Sequence, residues 1–162
     1  KINILEKQFD KTLKEEKHFS KKINSLVSSE EVKNMEYGTK MHYILENIDF
    51  NNPDYSNIND YEKDLVENLL INEIFNDLKN SKIYKEYEFI YEDGNDSKTG
   101  IIDLMLEHNS YIDIVDYKLK NTNDDVYIKQ LNGYKKYIEK KTKKKVNIYL
   151  YSLIEKTLVK LS

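Results

Sequence analysis

Cysteine and tryptophan are absent from this 162-residue sequence, and proline occurs once, at Pro53. Without cysteine there is no disulfide, no iron–sulfur cluster and no thiolate-held zinc. Arginine and alanine are also missing, so all 26 basic residues are lysine. No apolar run approaches the roughly 20 residues that a membrane-spanning helix needs. No signal-peptide pattern follows Lys1, and a chain that opens on lysine reads as a piece of a longer protein. The net charge of -3 does not announce a polyanion binder, so any such role rests on local charge.

What remains is rich in Lys, Asn, Ile and Tyr, as an AT-rich coding sequence would be. Hydrophobic residues make up 39% and charged residues 34%, which describes a globular domain with a heavily charged surface. The length suits one domain with a real core.

Periodicity orders the chain. Ile4 to Val27 reads as a polar helix with a thin stripe of Leu5, Phe9, Leu13, Phe19 and Ile23. Ser28 and Glu31 are spaced as a capping box for a second helix, which reaches about Ile48. After the break at Pro53, a third helix is expected from about Ile58 to Leu78, on the spacing of Tyr61, Leu65, Leu69, Phe75 and Leu78. "KIYKEYEFIYEDG" alternates as a strand that ends in a turn at Gly94. Residues 100–106 and 111–117 form the next two strands, and Asp124 and Asp125 open a helix to about Lys140. "VNIYLYSL" (146–153) is a buried strand and 157–161 an edge strand. The order predicts an α/β fold: a mixed central sheet of about five strands flanked by helices, with an N-terminal helical segment.

The hairpin "GIIDLMLEHNSYIDIVDYKLK" carries Asp103, Asp113, Asp116 and Lys118 among isoleucines and leucines. Carboxylates so placed need a neutraliser. Asp116 and Lys118 alternate onto one face. A bend or bulge would have to bring Asp103 to Asp116, because the far ends of an antiparallel pair diverge. Paired carboxylates bind a hard divalent cation, and a lysine beside them can assist attack on a phosphate. A structural ion pair is the other reading of a bare D-x-K. Asp113 is expected on the opposite face, solvated or paired at the surface, and His18 and His108 are expected at the surface.

"GIID" (100–103), "DYK" (116–118) and "QLNGY" (130–134), with "YGTKMHYILENIDF" (37–50) and "KEYEF" (85–89) upstream, resemble the PD-(D/E)XK nuclease superfamily. Within it they are most similar to the C-terminal nuclease domain of RecB- and AddA-type helicase–nucleases. Lys85 and Glu88 stand where that family has Arg and Pro. The resemblance covers roughly residues 35–160. It implies a restriction-endonuclease-like core over 35–160, with 1–34 as a helical lead-in to a single nuclease domain (1–162).

The resemblance also implies a site. His42, Asp103, Asp116 and the Tyr117 carbonyl would hold Mg²⁺ or Mn²⁺, although His42 alone, on a stripe with Met35, Gly38 and Leu45, reads as a buried structural histidine. Lys118, Gln130 and Glu86 would be catalytic, and Tyr134 and Lys120 would meet DNA. The activity implied is exonucleolytic hydrolysis of DNA to 5′-phosphate and 3′-hydroxyl ends in double-strand break repair. The helicase motor would lie in the same parent chain, with an AddB-like partner subunit, single-stranded DNA ends as substrate, and a bacterial, cytoplasmic, nucleoid-associated location. A stand-alone nuclease of the superfamily and a non-catalytic DNA-binding module of the same fold are the competing readings. The dense basic run "EKKTKKK" (139–145) suits either a DNA backbone or a solvated helix end.

Overall fold

Alternating apolar and charged residues build an antiparallel hairpin from β1 (Lys82–Asp93) and β2 (Asp96–Glu107). Gly94 turns the chain between them at φ +66°, a conformation that glycine adopts without a Cβ clash. β3 (Tyr111–Lys118) pairs antiparallel with β2, and β4 (Lys145–Ser152) pairs parallel with β3. β5 (Thr157–Lys160) closes the sheet, whose strand order is β1-β2-β3-β4-β5. The parallel step needs a crossover, which α3 (Asp125–Thr142) provides. Asp124 caps it, its carboxylate accepting from the Val126 amide at 2.9 Å.

The computed structural model describes residues 29–120 and 124–162. Two compact units, Lys1–Tyr37 and Gly38–Ser162, divide the chain. The described residues of the first are helical, and the sheet and its site belong wholly to the second. α1 runs Ser29–Asn47 and α2 Asp60–Leu70. The expected helix over 4–27, the Ser28 cap and His18 lie outside the described residues. No helix among the described residues is long and apolar enough to cross a membrane.

The sheet separates two cores. On one face Ile112, Ile114, Val146 and Ile148 pack with Leu131, Tyr134 and Ile138 of α3. On the other, the buried Tyr151 hydroxyl donates to the Leu65 carbonyl of α2 at 2.7 Å, and His42 of α1 meets Tyr117 edge-on with ring centroids 5.5 Å apart. Gly100 has a packing reason, because a Cβ there would come within 2.4 Å of the Phe89 ring.

The third helix is shorter than its apolar spacing predicts. It ends at Leu70, and two 3₁₀ turns follow, Glu73–Phe75 and Leu78–Asn80. Asn72 stops it by donating its side-chain amide to the carbonyls of Asn68 (2.9 Å) and Leu69 (2.8 Å), which satisfies helix-end acceptors that another turn would have used. Its start is a reciprocal cap. The Asn59 side chain accepts from the Glu62 amide at 2.8 Å and donates to the Glu62 carboxylate at 2.7 Å. Lys40 of α1 also donates to that buried carboxylate.

Two expectations about the hairpin are corrected. His108 and Asp113 are buried, at 6% and 1% exposure, rather than at the surface. His108 Nε2 lies 3.1 Å from Asp113 Oδ2, and its Nδ1 lies 2.8 Å from Ser81 Oγ. The Ser81 hydroxyl also donates to the Asp77 carbonyl, so His108 joins Ser81 to Asp113 in one buried hydrogen-bonded chain. The order Ser81–His108–Asp113 is therefore no nucleophile triad, since His108 cannot be a base for a proton directed elsewhere. Asn147 donates to the other Asp113 oxygen at 2.9 Å.

Removing Asp113 takes the hydrogen-bond partner from buried His108 and from Asn147 at once. Asp113→Ala should lower unfolding free energy by about 2–5 kcal/mol in urea titration. A loss within ~0.5 kcal/mol, as at a surface site, would contradict the buried pair.

Candidate metal centre

The β1–β2 register runs Lys85↔Leu104 and Tyr87↔Ile102, and the β2–β3 register reaches Leu104↔Val115. Continuing each by one residue sets Glu86 opposite Asp103, and Asp103 opposite Asp116. Three carboxylates thus occupy one row across three adjacent strands. Register sets Asp103 and Asp116 opposite each other, and a bend or bulge of the kind expected there accompanies it.

The row is nonetheless irregular, and the irregularity aims the side chains. Glu86 has φ +49°, the left-handed region that a non-glycine residue rarely enters. Strand alternation slips there. Tyr84 and Tyr87, three apart on β1, both pack on the α3-side core, as do Ile102 and Met105 on β2. Between each pair the backbone has taken up one extra half-pleat. Ladder bonding gives way to side-chain bonding at the same point, where the Tyr117 amide donates to Asp103 Oδ2 at 2.8 Å.

His42 reaches the row from α1. Its Nε2 lies 3.1 Å from the Tyr117 carbonyl, which can only accept, so Nε2 carries the hydrogen. Nδ1 is then the nitrogen that faces Asp103 Oδ1, at 3.7 Å, and in a neutral imidazole it would offer its lone pair to a cation held between the two. Ligand atoms of His42, Glu86 and Asp103 all lie within 4.8 Å of one another. Donors on opposite sides of an ion bound at about 2.1 Å are about 4.2 Å apart, so this spacing fits one divalent ion. The mixed imidazole and carboxylate set suits Mn²⁺ at least as well as Mg²⁺.

The charges here are mutually unfavourable without a cation. Burial, then Asp103 and then Glu46, pushes the Glu86 carboxyl up to about 8. Burial and the adjacent Asp103 raise Asp116 well above the usual carboxylate range, against the pull of Lys118, and a hydrogen bond between the two carboxyls holds the proton there. The buried Tyr117 hydroxyl has no hydrogen-bond partner among the described residues, and burial followed by the same carboxylates raises its ionisation.

Asp116 and Lys118 meet at Tyr127. The Tyr127 hydroxyl donates to Asp116 Oδ2, and the Lys118 ammonium sits 4.4 Å from the Tyr127 ring centroid. Sequence reasoning missed Tyr127, although a residue in the first turn of a helix that follows "DYK" so closely must fold back near it. It also missed Glu46, one turn beyond His42 on α1. Burial raises the Glu46 carboxyl, Lys85 and His42 oppose that, and Asp103 reinforces it. Lys85 donates to the Ile48 carbonyl and lies 3.8 Å from the Phe50 ring centroid, which fastens the end of α1 to β1. Burial lowers its ammonium to about 8.

Other expected site residues lie apart. Gln130 is exposed on the flank of α3 that faces the β1–β2 hairpin. Tyr134 is 6% exposed and packs edge-on against Phe89 at 5.1 Å, so it has no surface to offer a nucleic-acid base. Lys120 is exposed beyond the end of β3, where strand alternation no longer directs it. The Tyr117 carbonyl is at the site, engaged as the acceptor that orients His42.

No protein-family model matches the sequence, and no curated protein is significantly similar to it. What the site can do follows from its geometry.

Glu86 is held at about 8 against an ordinary 4.5, so in this window the native chain keeps a proton that the unfolded chain has released. Stability therefore declines as pH rises from about 4.5 to 8, and Asp116 and Glu46 act in the same direction. Melting temperature should fall across that window, Glu86→Gln should flatten the fall, and Mn²⁺ should stabilise the wild type more at the alkaline end. Parallel pH profiles for wild type and Glu86→Gln would contradict the assignment.

Proposed function

We propose that this domain is a divalent-metal-dependent deoxyribonuclease. One observation carries the reading: Glu86, Asp103 and Asp116 stand in a single row across β1, β2 and β3, with His42 Nδ1 facing Asp103 at 3.7 Å. The order of motifs that resemble PD-(D/E)XK nucleases of the RecB and AddA type supports it from the sequence side. Action on DNA ends beside a helicase motor in double-strand break repair is the finer form of the proposal.

His42, Glu86 and Asp103 would hold the ion, with Asp116 beside Asp103. A divalent ion bound there supplies Lewis acidity toward a phosphate oxygen and a water of lowered pKa. The protein's own residues do the rest. Tyr117 fixes the imidazole tautomer through its carbonyl and one Asp103 oxygen through its amide. Tyr127 steadies Asp116 and, under its ring, the Lys118 ammonium. Lys118 thereby offers a positioned positive charge to the phosphoryl group as water adds at phosphorus and the ester oxygen leaves. The carboxylate row deters the scissile phosphate from the centre itself until a cation is bound, which couples cleavage, rather than strand binding elsewhere, to metal.

Labelled single-stranded DNA incubated with Mg²⁺ or Mn²⁺ should be cut by the wild type. Asp116→Ala and Lys118→Ala should each lower the rate by roughly 10²–10⁴-fold. Equal cleavage by wild type and Asp116→Ala would reject the reading. DNA bound but never cut with either metal would favour the non-catalytic module instead.

A further inference from the structure

We propose that the groove between the β1–β2 hairpin and the flank of α3 is the track along which an unpaired nucleic-acid strand approaches the metal centre. This inference rests on the nuclease reading and adds to it where the strand lies and in what form. The groove has a volume of about 1710 Å³. Small-molecule pockets occupy about 300–1,000 Å³, so its size fits a polymer segment better than a metabolite.

Its charge points to the occupant. Five lysines and three acidic residues line it. Lys98 is taken by Asp93 at 2.6 Å, and Lys141 donates to the Tyr87 hydroxyl at 2.8 Å. Lys129, Lys136 and Lys140 have no hydrogen-bond or ion-pair partner among the described residues, whereas Lys135 on another face of α3 meets both Glu139 and Ser162. Lys129, Gly133, Lys136 and Lys140 recur at helical spacing, forming one stripe about 16 Å long. Lys129 acts only at longer range on Asp93, and a row of ammonium groups without close partners is what a phosphate backbone neutralises, with release of counterions.

Gly133 supplies an independent sign. It sits in a helix interior, where glycine is disfavoured relative to alanine, yet a Cβ there would meet nothing within 4 Å. Packing among the described residues does not require it. A bare floor in the middle of a lysine stripe lets a bulky ligand approach the helix backbone.

The apolar residues decide between paired and unpaired strands. Ile90 on the hairpin wall is 68% exposed and Val126 on the helix wall 79% exposed, and both line the groove. Unstacked bases offer flat apolar faces to such residues and to Tyr91 beside them, whereas a duplex keeps those faces stacked inside. Val126 adjoins Tyr127, whose hydroxyl holds Asp116, so the helix wall of the groove continues at its N-terminal end into the residue that reaches the carboxylate row.

The test is fluorescence anisotropy with a labelled oligothymidylate and a duplex of equal length, in EDTA so that no metal contributes. The wild type should prefer the single strand. The Lys129→Gln, Lys136→Gln, Lys140→Gln triple variant should weaken binding by about tenfold or more. It should also reduce the salt slope by about 2, since each single-strand phosphate contact contributes about 0.7. Gly133→Gln should weaken binding several-fold without lowering the melting temperature, which separates a filled groove from a damaged fold. Unchanged affinity in the triple variant, equal binding of duplex, or preference for polyglutamate over the oligonucleotide would overturn the track. Lost groove binding with intact metal-dependent cleavage counts against the track alone. Intact groove binding without cleavage counts against the nuclease reading.

Discussion

Three carboxylates in one row across adjacent strands repel one another, and the centre of this protein is organised around that repulsion. Glu86, Asp103 and Asp116 are neighbours because two antiparallel registers align them. Like charges placed directly across a sheet are destabilising, and burial weakens the solvent screening that would otherwise ease them. The structure answers with raised Asp116 and Glu86 carboxyls, an amide donor on Asp103 and a nearby lysine. A divalent cation would answer more completely, because it neutralises the whole cluster at once. The same feature that strains the fold is thus the one that would give it chemistry.

The surrounding elements can be understood as supports for that row. α1 brings His42 over the sheet, and the Tyr117 carbonyl engages Nε2 so that Nδ1 is turned toward Asp103. Lys85 ties the end of α1 to β1. α3 delivers Tyr127 to Asp116 from the other face. Glu86 lies at φ +49°, a backbone state that persists only where its surroundings impose it. It lies at the point where β1 and β2 both shift their alternation. The buried His108–Asp113 pair at the other end of the hairpin holds β2 and β3 where no apolar contact could specify a charged partner.

Much of the fold was legible in the residues. Period-2 alternation marked β1, β2 and β3, the two aspartates before Val126 marked the start of α3, and "VNIYLYSL" marked β4. What misled was apolar spacing taken without its polar neighbours. Leu65, Leu69, Phe75 and Leu78 keep helical spacing, but Asn72 captures the helix-end carbonyls and the last two positions fall in 3₁₀ turns. His108 carried no local sign of burial, because Ser81 and Asp113 reach it through strand pairing rather than through sequence proximity. Asp103 and Asp116 were chosen correctly as neighbours for an incomplete reason, since register cannot be read from one strand alone. Tyr127 and Glu46 were within reach of helical arithmetic. Tyr134 was not, because helix face alone does not say which side is buried.

A direct test of the account is the location of a cation. In crystals soaked with Mn²⁺, anomalous scattering should give a peak bounded by His42 Nδ1 and the carboxylates of Glu86 and Asp103, each at about 2.0–2.3 Å. No peak at that position in well-diffracting crystals, or a sole peak elsewhere with the three carboxylates unchanged, would contradict it.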